Sequence, residues 1–337
     1  MNYFCIAFQR LSQYFVPYTK YEFYYLMLNR RHLRVKVLQS LYAFFQSGNT
    51  SLDAGEKELL FSIDKIYDLY LYQLTLITDI GRQARKIIED NKNKKIPSPQ
   101  DLNPNTRFIE NQCLMGIENS LELEQKLKER KISWAIAPEI PRKIFLNFRE
   151  SKLYQEYMDI PESSFEQDRD LILKMLKNHI CEAELLHHFY EENSIYWLDD
   201  WELVNKMIIK SIKAMENGSD EDFKLMSLYK DLDDRRFARE LFKKTILNDK
   251  EFAPMIAAKT QNWDIERIAL MDIIIMKMAL TEITRFPEVP VKVSLNEYIE
   301  LSKMYSTPKS KVFVNGVLDK LVEELVAENK ITKPIKD

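Results

Sequence analysis

Residues 264–285 read DIERIALMDIIIMKMALTEITR, and residues 289–321 read VPVKVSLNEYIELSKMYSTPKSKVFVNGVLDKL. The first stretch is apolar nearly all round, broken in the middle by Asp272 and Lys277. That pattern predicts a central buried helix. A Pro-bounded connection, PEVP (287–290), follows, and Pro290 suits the first turn of a helix over about 291–305. Thr307 is a natural N-cap and Pro308 a natural first helical residue for a last helix over about 308–328. Val314, Val317, Leu318, Leu321 and Leu325 form its apolar stripe. Gly316 lies inside that helix, where it costs about 1 kcal/mol against Ala. The spacing therefore predicts close approach of another helix at Gly316.

Outward from this end, helix follows helix. Residues 30–47 place Leu38, Leu41, Tyr42 and Phe45 on one face, and Gly48 ends the helix. Residues 56–91 carry a long periodic pattern with a kink expected near Gly81. The Pro-containing stretch 91–105 reads as a loop or hinge. Further helices are predicted at about 106–131, 138–158, 163–192, 199–216, 233–247 and 249–259, with a solvated acidic loop at 216–222. The chain of 337 residues has only 6 glycines, too scattered for G-x-G-x-x-G or a P-loop. The fold class is all-α, a set of packed bundles.

The remaining composition removes other classes. A net charge of −3 excludes a uniformly basic nucleic-acid binder but not a local basic patch. Cys5, Cys113 and Cys181 are too far apart for a disulfide framework or a zinc ribbon. No apolar run approaches a membrane span, and a cytoplasmic location is expected. Glu184 and His187 form an E-x-x-H, but His32 has no glutamate three residues before it, so the metal reading is rejected. Asp199 and Asp200, beside Trp197 and Trp201, read as a solvated helix start. No catalytic residue, metal or cofactor is assigned, and an enzyme is not expected. Residues 1–26 hold ten Phe or Tyr with Pro17 among them. They read as a poorly ordered extension or as translation upstream of a true start at Met27, with an aromatic anchor as the alternative.

Between Glu22 and Asp53 there is no acid, yet Arg30, Arg31, Arg34 and Lys36 fall within that window. Cations at a helix N-terminus oppose its dipole by tenths of a kcal/mol. A solvated face is one reading. The other is an anion face on which arginine forks hold phosphate and Tyr42 stacks on an unpaired base.

NRRHLRVKVLQSLYAF (29–44), RFARELFKKTILNDKEFAPMI (236–256), MDIIIMKMALTEI (271–283) and the ordered run from Pro290 through Lys320 resemble the bacterial NusB family. The run carries Lys292, Val293, Asn296, Glu297, Glu300, Leu301 and Lys303, then Phe313 to Lys320. The resemblance covers about 28–47 and 230–322. It implies two small helical subdomains, here with a large helical insertion at about 50–228. The expected organisation is an extension at 1–26, an enlarged N-terminal subdomain at 27–228, a C-terminal domain at 229–328 and a basic tail at 329–337.

The same resemblance implies transcription antitermination. The expected factor binds boxA-type single-stranded RNA of ribosomal RNA leaders with the ribosomal protein NusE, and helps RNA polymerase through terminators. It places Arg30, Arg31, Arg34, Gln39 and Tyr42 on one side of the RNA path and Lys292, Lys309, Ser310, Lys311 and Phe313 on the other. Asp272 falls where the family has an acid facing NusE. A homodimer is a further partner the family allows. His32 and Leu33 interrupt the arginine cluster, and Lys309 stands where other members often carry an acid. Replacing Arg30 and Arg34 together by alanine is expected to weaken RNA binding with melting unchanged. The alternative function is a helical scaffold that keeps the fold without RNA binding. Fusion to an RNA methyltransferase is excluded, since nothing here supplies a Gly-rich cofactor loop.

Overall fold

The structure is a computed structural model and describes residues 27–48, 50–217, 223–260, 269–331 and 333. The expected extension at 1–26 lies outside the described residues, as does the start of the predicted central helix at 264–268. Among the described residues there are helices and no strand. In chain order they are α1 (Arg30–Gln46), α2 (Leu52–Lys92), α3 (Pro99–Leu102), α4 (Gln112–Glu118), α5 (Leu121–Arg130), α6 (Glu139–Arg149), α7 (Lys152–Met158) and α8 (Phe165–Met175). They continue with α9 (Glu184–Asn193), α10 (Trp201–Lys213), α11 (Leu232–Leu247), α12 (Asp249–Thr260), α13 (Leu270–Arg285), α14 (Val291–Tyr305) and α15 (Ser310–Ala327).

Two predicted helices, 106–131 and 138–158, are broken by polar caps, and a further cap marks the start of the predicted 163–192. Asn111 and Ser120 start α4 and α5, with Ser120 Oγ accepting the Leu123 N–H at 3.3 Å. Ser151 starts α7 in the same way through Tyr154, and Ser164 starts α8. Short Ser and Asn side chains satisfy the orphan amides of a helix start, so each marks an entry point within an otherwise periodic stretch. α8 passes into a π-helical turn, Leu176–Ile180, before the chain re-enters helix at α9.

The residues form two compact units. Unit A comprises Met27–Tyr72, Glu184–Val204 and Leu228–Asp337; unit B comprises Gln73–Ala183 and Asn205–Ser227. One junction of this division, Ser227/Leu228, falls one residue from the expected 228/229, but Met27–Tyr72 and Glu184–Val204 group with the C-terminal helices. α1 belongs with the C-terminal helices because it packs on α11 and α13, burying Leu33, Val37, Leu38 and Leu41. In unit A, α13 is central and packs against α1, α11, α12, α14 and α15. Residues Ile274 through Ile283 are all buried, as its all-round apolar pattern requires. Two described residues of the tail are anchored in unit A. Ile331 packs against Ile283, Val291 and Val322. Buried Lys333 donates to the carbonyls of Glu282 at 3.0 Å, Phe286 at 3.0 Å and Val289 at 2.5 Å, satisfying the C-terminal end of α13.

Unit B is built on an aromatic cluster. Phe108 stacks on Phe145, and Phe148 meets Phe108, Tyr154 and His179 edge-on. Buried Asp168 ties α4 to α8 by accepting the Gln112 N–H and the Tyr157 hydroxyl, each at 2.7 Å.

Two glycine expectations change. α2 runs unbroken through Gly81, where a Cβ would stand 2.7 Å from Leu114 Cδ2, so this glycine admits α4 rather than kinking α2. At Gly316 a Cβ would meet nothing within 4 Å, so among the described residues no helix approaches there. Gly316→Ala should therefore raise stability by about 0.5–1 kcal/mol through helix propensity alone. A urea titration checks it, and a loss of stability would show that the open space is needed. The last helix also starts later than predicted. Thr307 does not cap it with its side chain, and the Ser310 N–H bonds the Thr307 carbonyl in a preceding turn.

Candidate nucleic-acid interface

α1 begins at Asn29, whose side chain accepts the His32 N–H at 3.1 Å while His32 Nδ1 accepts the Asn29 N–H. His32 thus completes a capping box. No acid stands in the first turn. The acids come from elsewhere in unit A instead.

Arg34 is the most committed. Its side chain is 4% exposed and forks onto Glu282 at 2.8 and 2.7 Å. Glu282, fully buried, also accepts Ser294 Oγ at 2.7 Å and the Tyr298 hydroxyl at 2.9 Å. Four donors on two oxygens satisfy a charge that would otherwise be costly to bury. Burial alone would lower the Arg34 pKa, but the bonds and charge of Glu282 raise it above its ordinary value. Burial and the same carboxylate push the Tyr298 phenol well up.

Arg31 forks onto Glu297 at 2.8 and 2.6 Å from a more exposed position. Glu297 is also 3.6 Å from Arg34 Nη1. Burial works against its charge, yet the bond and charge of Arg31, with Arg34 behind, hold it below the usual carboxylate range. Arg30 lies over the Phe237 ring, 3.6 Å from Asp234.

Further along α1, buried Lys36 donates to Asp200 Oδ2 at 2.5 Å and to the Tyr196 carbonyl at 3.3 Å. Burial pushes Asp200 up to about 6 despite Lys36. Asp200 is therefore not a solvated helix start, and α10 begins after it. Gln39 Nε2 donates to exposed Asp199 at 2.6 Å. The expected apolar face is rotated: Leu38 and Leu41 are buried with Val37 and Phe44, whereas Tyr42 stands exposed.

The other expected side divides in two. Lys292 on α14 and Lys309 and Lys311 at the start of α15 are exposed, and no described residue forms an ion pair with them. Exposed Met304 and Val312 lie nearby in sequence. Ser310 and Phe313 turn inward. Ser310 Oγ donates to Asp272 Oδ2 at 2.7 Å, and Phe313 is 6% exposed. Asp272 is itself 4% exposed, so its carboxylate is an interior group of α13 and not a surface acid. Arg34, Ser310, Phe313 and Asp272, all expected on binding surfaces, are interior because each faces a partner helix rather than solvent.

The other titratable groups singled out in the sequence have ordinary settings. The His187 ring lies 4.7 Å from that of Trp201, and burial pushes the Cys181 thiol up to about 12. Among the described residues no three His, Cys, Asp or Glu converge as a metal site would require.

Residues 166–323 match the model of the NusB family. Three curated relatives carry the name transcription antitermination protein NusB. That of Salinibacter ruber is 43% identical over 99 residues, 29% of this chain and 62% of its own length. That of Chloroherpeton thalassium is 36% identical over 103 residues, 31% and 49% of the two lengths. That of Koribacter versatilis is 32% identical over 131 residues, 38% of this chain and 90% of its own length. The chain belongs to the NusB family. It spans less than two thirds of the first two relatives' length. The NusB match begins at 166, inside the stretch at 50–228 that sequence reading assigned to an insertion, and it leaves 28–47 outside. No solved structure matches. Among the described residues no helix is long and apolar enough to cross a membrane.

Proposed function

We propose that this NusB-family chain is a non-enzymatic transcription antitermination factor of the cytoplasm. It binds boxA-type single-stranded RNA of ribosomal RNA leaders together with NusE and promotes read-through of terminators by RNA polymerase. The observation that carries this reading is the match to relatives named transcription antitermination proteins. The surface chemistry supports it. Lys292, Lys309 and Lys311 are exposed cations without a described acidic partner, the arrangement that phosphate contacts need. Tyr42 offers an exposed ring for stacking, and Arg31 and Arg30 keep part of their guanidinium surface in solvent.

Replacing Lys309 and Lys311 together by alanine tests it. Fluorescence anisotropy with a leader-derived single strand should show weaker binding, with the salt slope reduced by about 1.4 for two lost phosphate contacts. Melting should stay within about 0.5 kcal/mol, since both side chains are at the surface. An unchanged slope would remove these lysines from the interface. A scaffold without RNA binding is the second reading, favoured by the acids that meet the cations of α1. It requires NusE binding with no preference for leader RNA over a scrambled strand.

A further inference from the structure

The turn leading into α10 is fixed on α1 and α2 by three anchors within unit A. Trp197 donates from Nε1 to the Lys65 carbonyl at 2.7 Å, and its ring packs against Tyr72 and Tyr190. The Tyr196 hydroxyl bonds Glu58, and Asp200 holds Lys36. Lys36 is thereby neutralised already. Asp199, one residue earlier, adds a second negative charge to the same face and spends it on Gln39, a neutral amide. A neutral donor does not require a carboxylate, so the charge of Asp199 has no opposite charge in that contact to balance it. Asp199 is exposed, whereas Asp200 and Trp197 are buried. Its side chain can rotate away while the turn stays pinned.

We propose that Asp199 is a built-in competitor for nucleic-acid phosphate at Gln39. It sets how tightly the α1 face takes an anion. The inference rests on the reading of this face as an RNA surface. A phosphate oxygen is an acceptor like the Asp199 carboxylate and uses the same Gln39 Nε2 donor. Tethering gives the carboxylate a high effective concentration at Gln39, so an incoming strand meets an amide already engaged through one N–H and a repelling charge. RNA binds by turning the Asp199 side chain out, while Asp200 stays paired with Lys36 and holds the turn in place.

The test compares Asp199→Asn with Glu129→Gln, a swap that removes the same charge from an exposed site on α5 in unit B. Asparagine keeps an oxygen for Gln39 and removes only the charge. Binding is read by anisotropy with leader-derived single-stranded RNA and, separately, with heparin as a generic polyanion. At about 50 mM salt D199N should bind about two- to fivefold more tightly than E129Q, and the gain should fade near about 0.5 M as screening sets in. Equal binding by the two variants on both ligands, or weaker binding by D199N, overturns the proposal. Wild-type RNA binding with no gain in D199N overturns it while leaving the RNA reading intact. A gain on heparin with no variant binding leader RNA removes the RNA reading and, with it, the competitor for nucleic-acid phosphate.

Discussion

Alanine at Arg34 should destabilise the protein by about 3–5 kcal/mol, because it leaves the fully buried Glu282 carboxylate without its charge partner. Ser294 and Tyr298 would still donate to Glu282, but two neutral hydroxyls do not replace a forked guanidinium. This reverses the expectation that the Arg30 and Arg34 double variant would leave melting unchanged. Arg30→Ala alone, at a partly exposed site with its acid 3.6 Å away, should cost less than about 1 kcal/mol. Urea denaturation of the two single variants separates the cases. A loss below about 1 kcal/mol in Arg34→Ala would mean that Glu282 takes up a proton or finds water at little cost. A double variant, Arg34→Met with Glu282→Leu, should recover part of the stability. It would recover only part, since the Tyr298 hydroxyl then loses its acceptor in a buried site. Any RNA-binding defect in an Arg34 variant must therefore be read beside its stability.

Phe148→Ala should cost a similar amount, about 3–5 kcal/mol, through cavity formation in unit B. The ring is fully buried and has centroids of Phe108, Tyr154 and His179 within 5.5, 5.1 and 5.2 Å. Alanine removes all three edge contacts together. Neighbouring rings have few rotamers with which to refill the space, so the void persists. Hydrogen exchange should show the amides of α6 and α7 losing protection first, as local opening begins where packing is lost. Protection unchanged in those helices, with a loss below about 1 kcal/mol, would show that the cluster collapses around the smaller side chain.

Much of the helical architecture was open to a reading of local pattern. The all-round apolar run in α13, the stripe of α15 and the Gly48 terminus of α1 at φ +64 are each written within a few residues of one another. Boundaries were less legible. Asn111, Ser120, Ser151 and Ser164 are cap residues that periodicity alone passes over, and each split or delimited a predicted helix. Gly316 misled because a helical glycine shows only that a side chain is missing, not whether anything occupies its place.

The interface was legible in kind but not in assignment. A basic helix opening was visible, and one signal of its true role was present: Arg34 lies four and seven residues before Leu38 and Leu41, on the same apolar face. Its partner was harder to find, since Glu282 is one acid in a long apolar run, 248 residues away. Asp199 and Asp200 read as a surface pair because nothing near them in the chain is basic; Lys36 and Gln39 reach them from α1.

Helix type, helix order and family follow from interactions between residues three to seven apart and from ordered motifs, and both are carried by the linear chain. Which cation is solvent-facing and which is neutralised depends on pairs brought together only when distant helices pack. Burial makes those pairs obligatory, because a charge removed from water must meet its counter-charge wherever the fold has placed it. That is why Arg34 became a core residue, while Lys309 and Lys311, equally basic in sequence, remained at the surface.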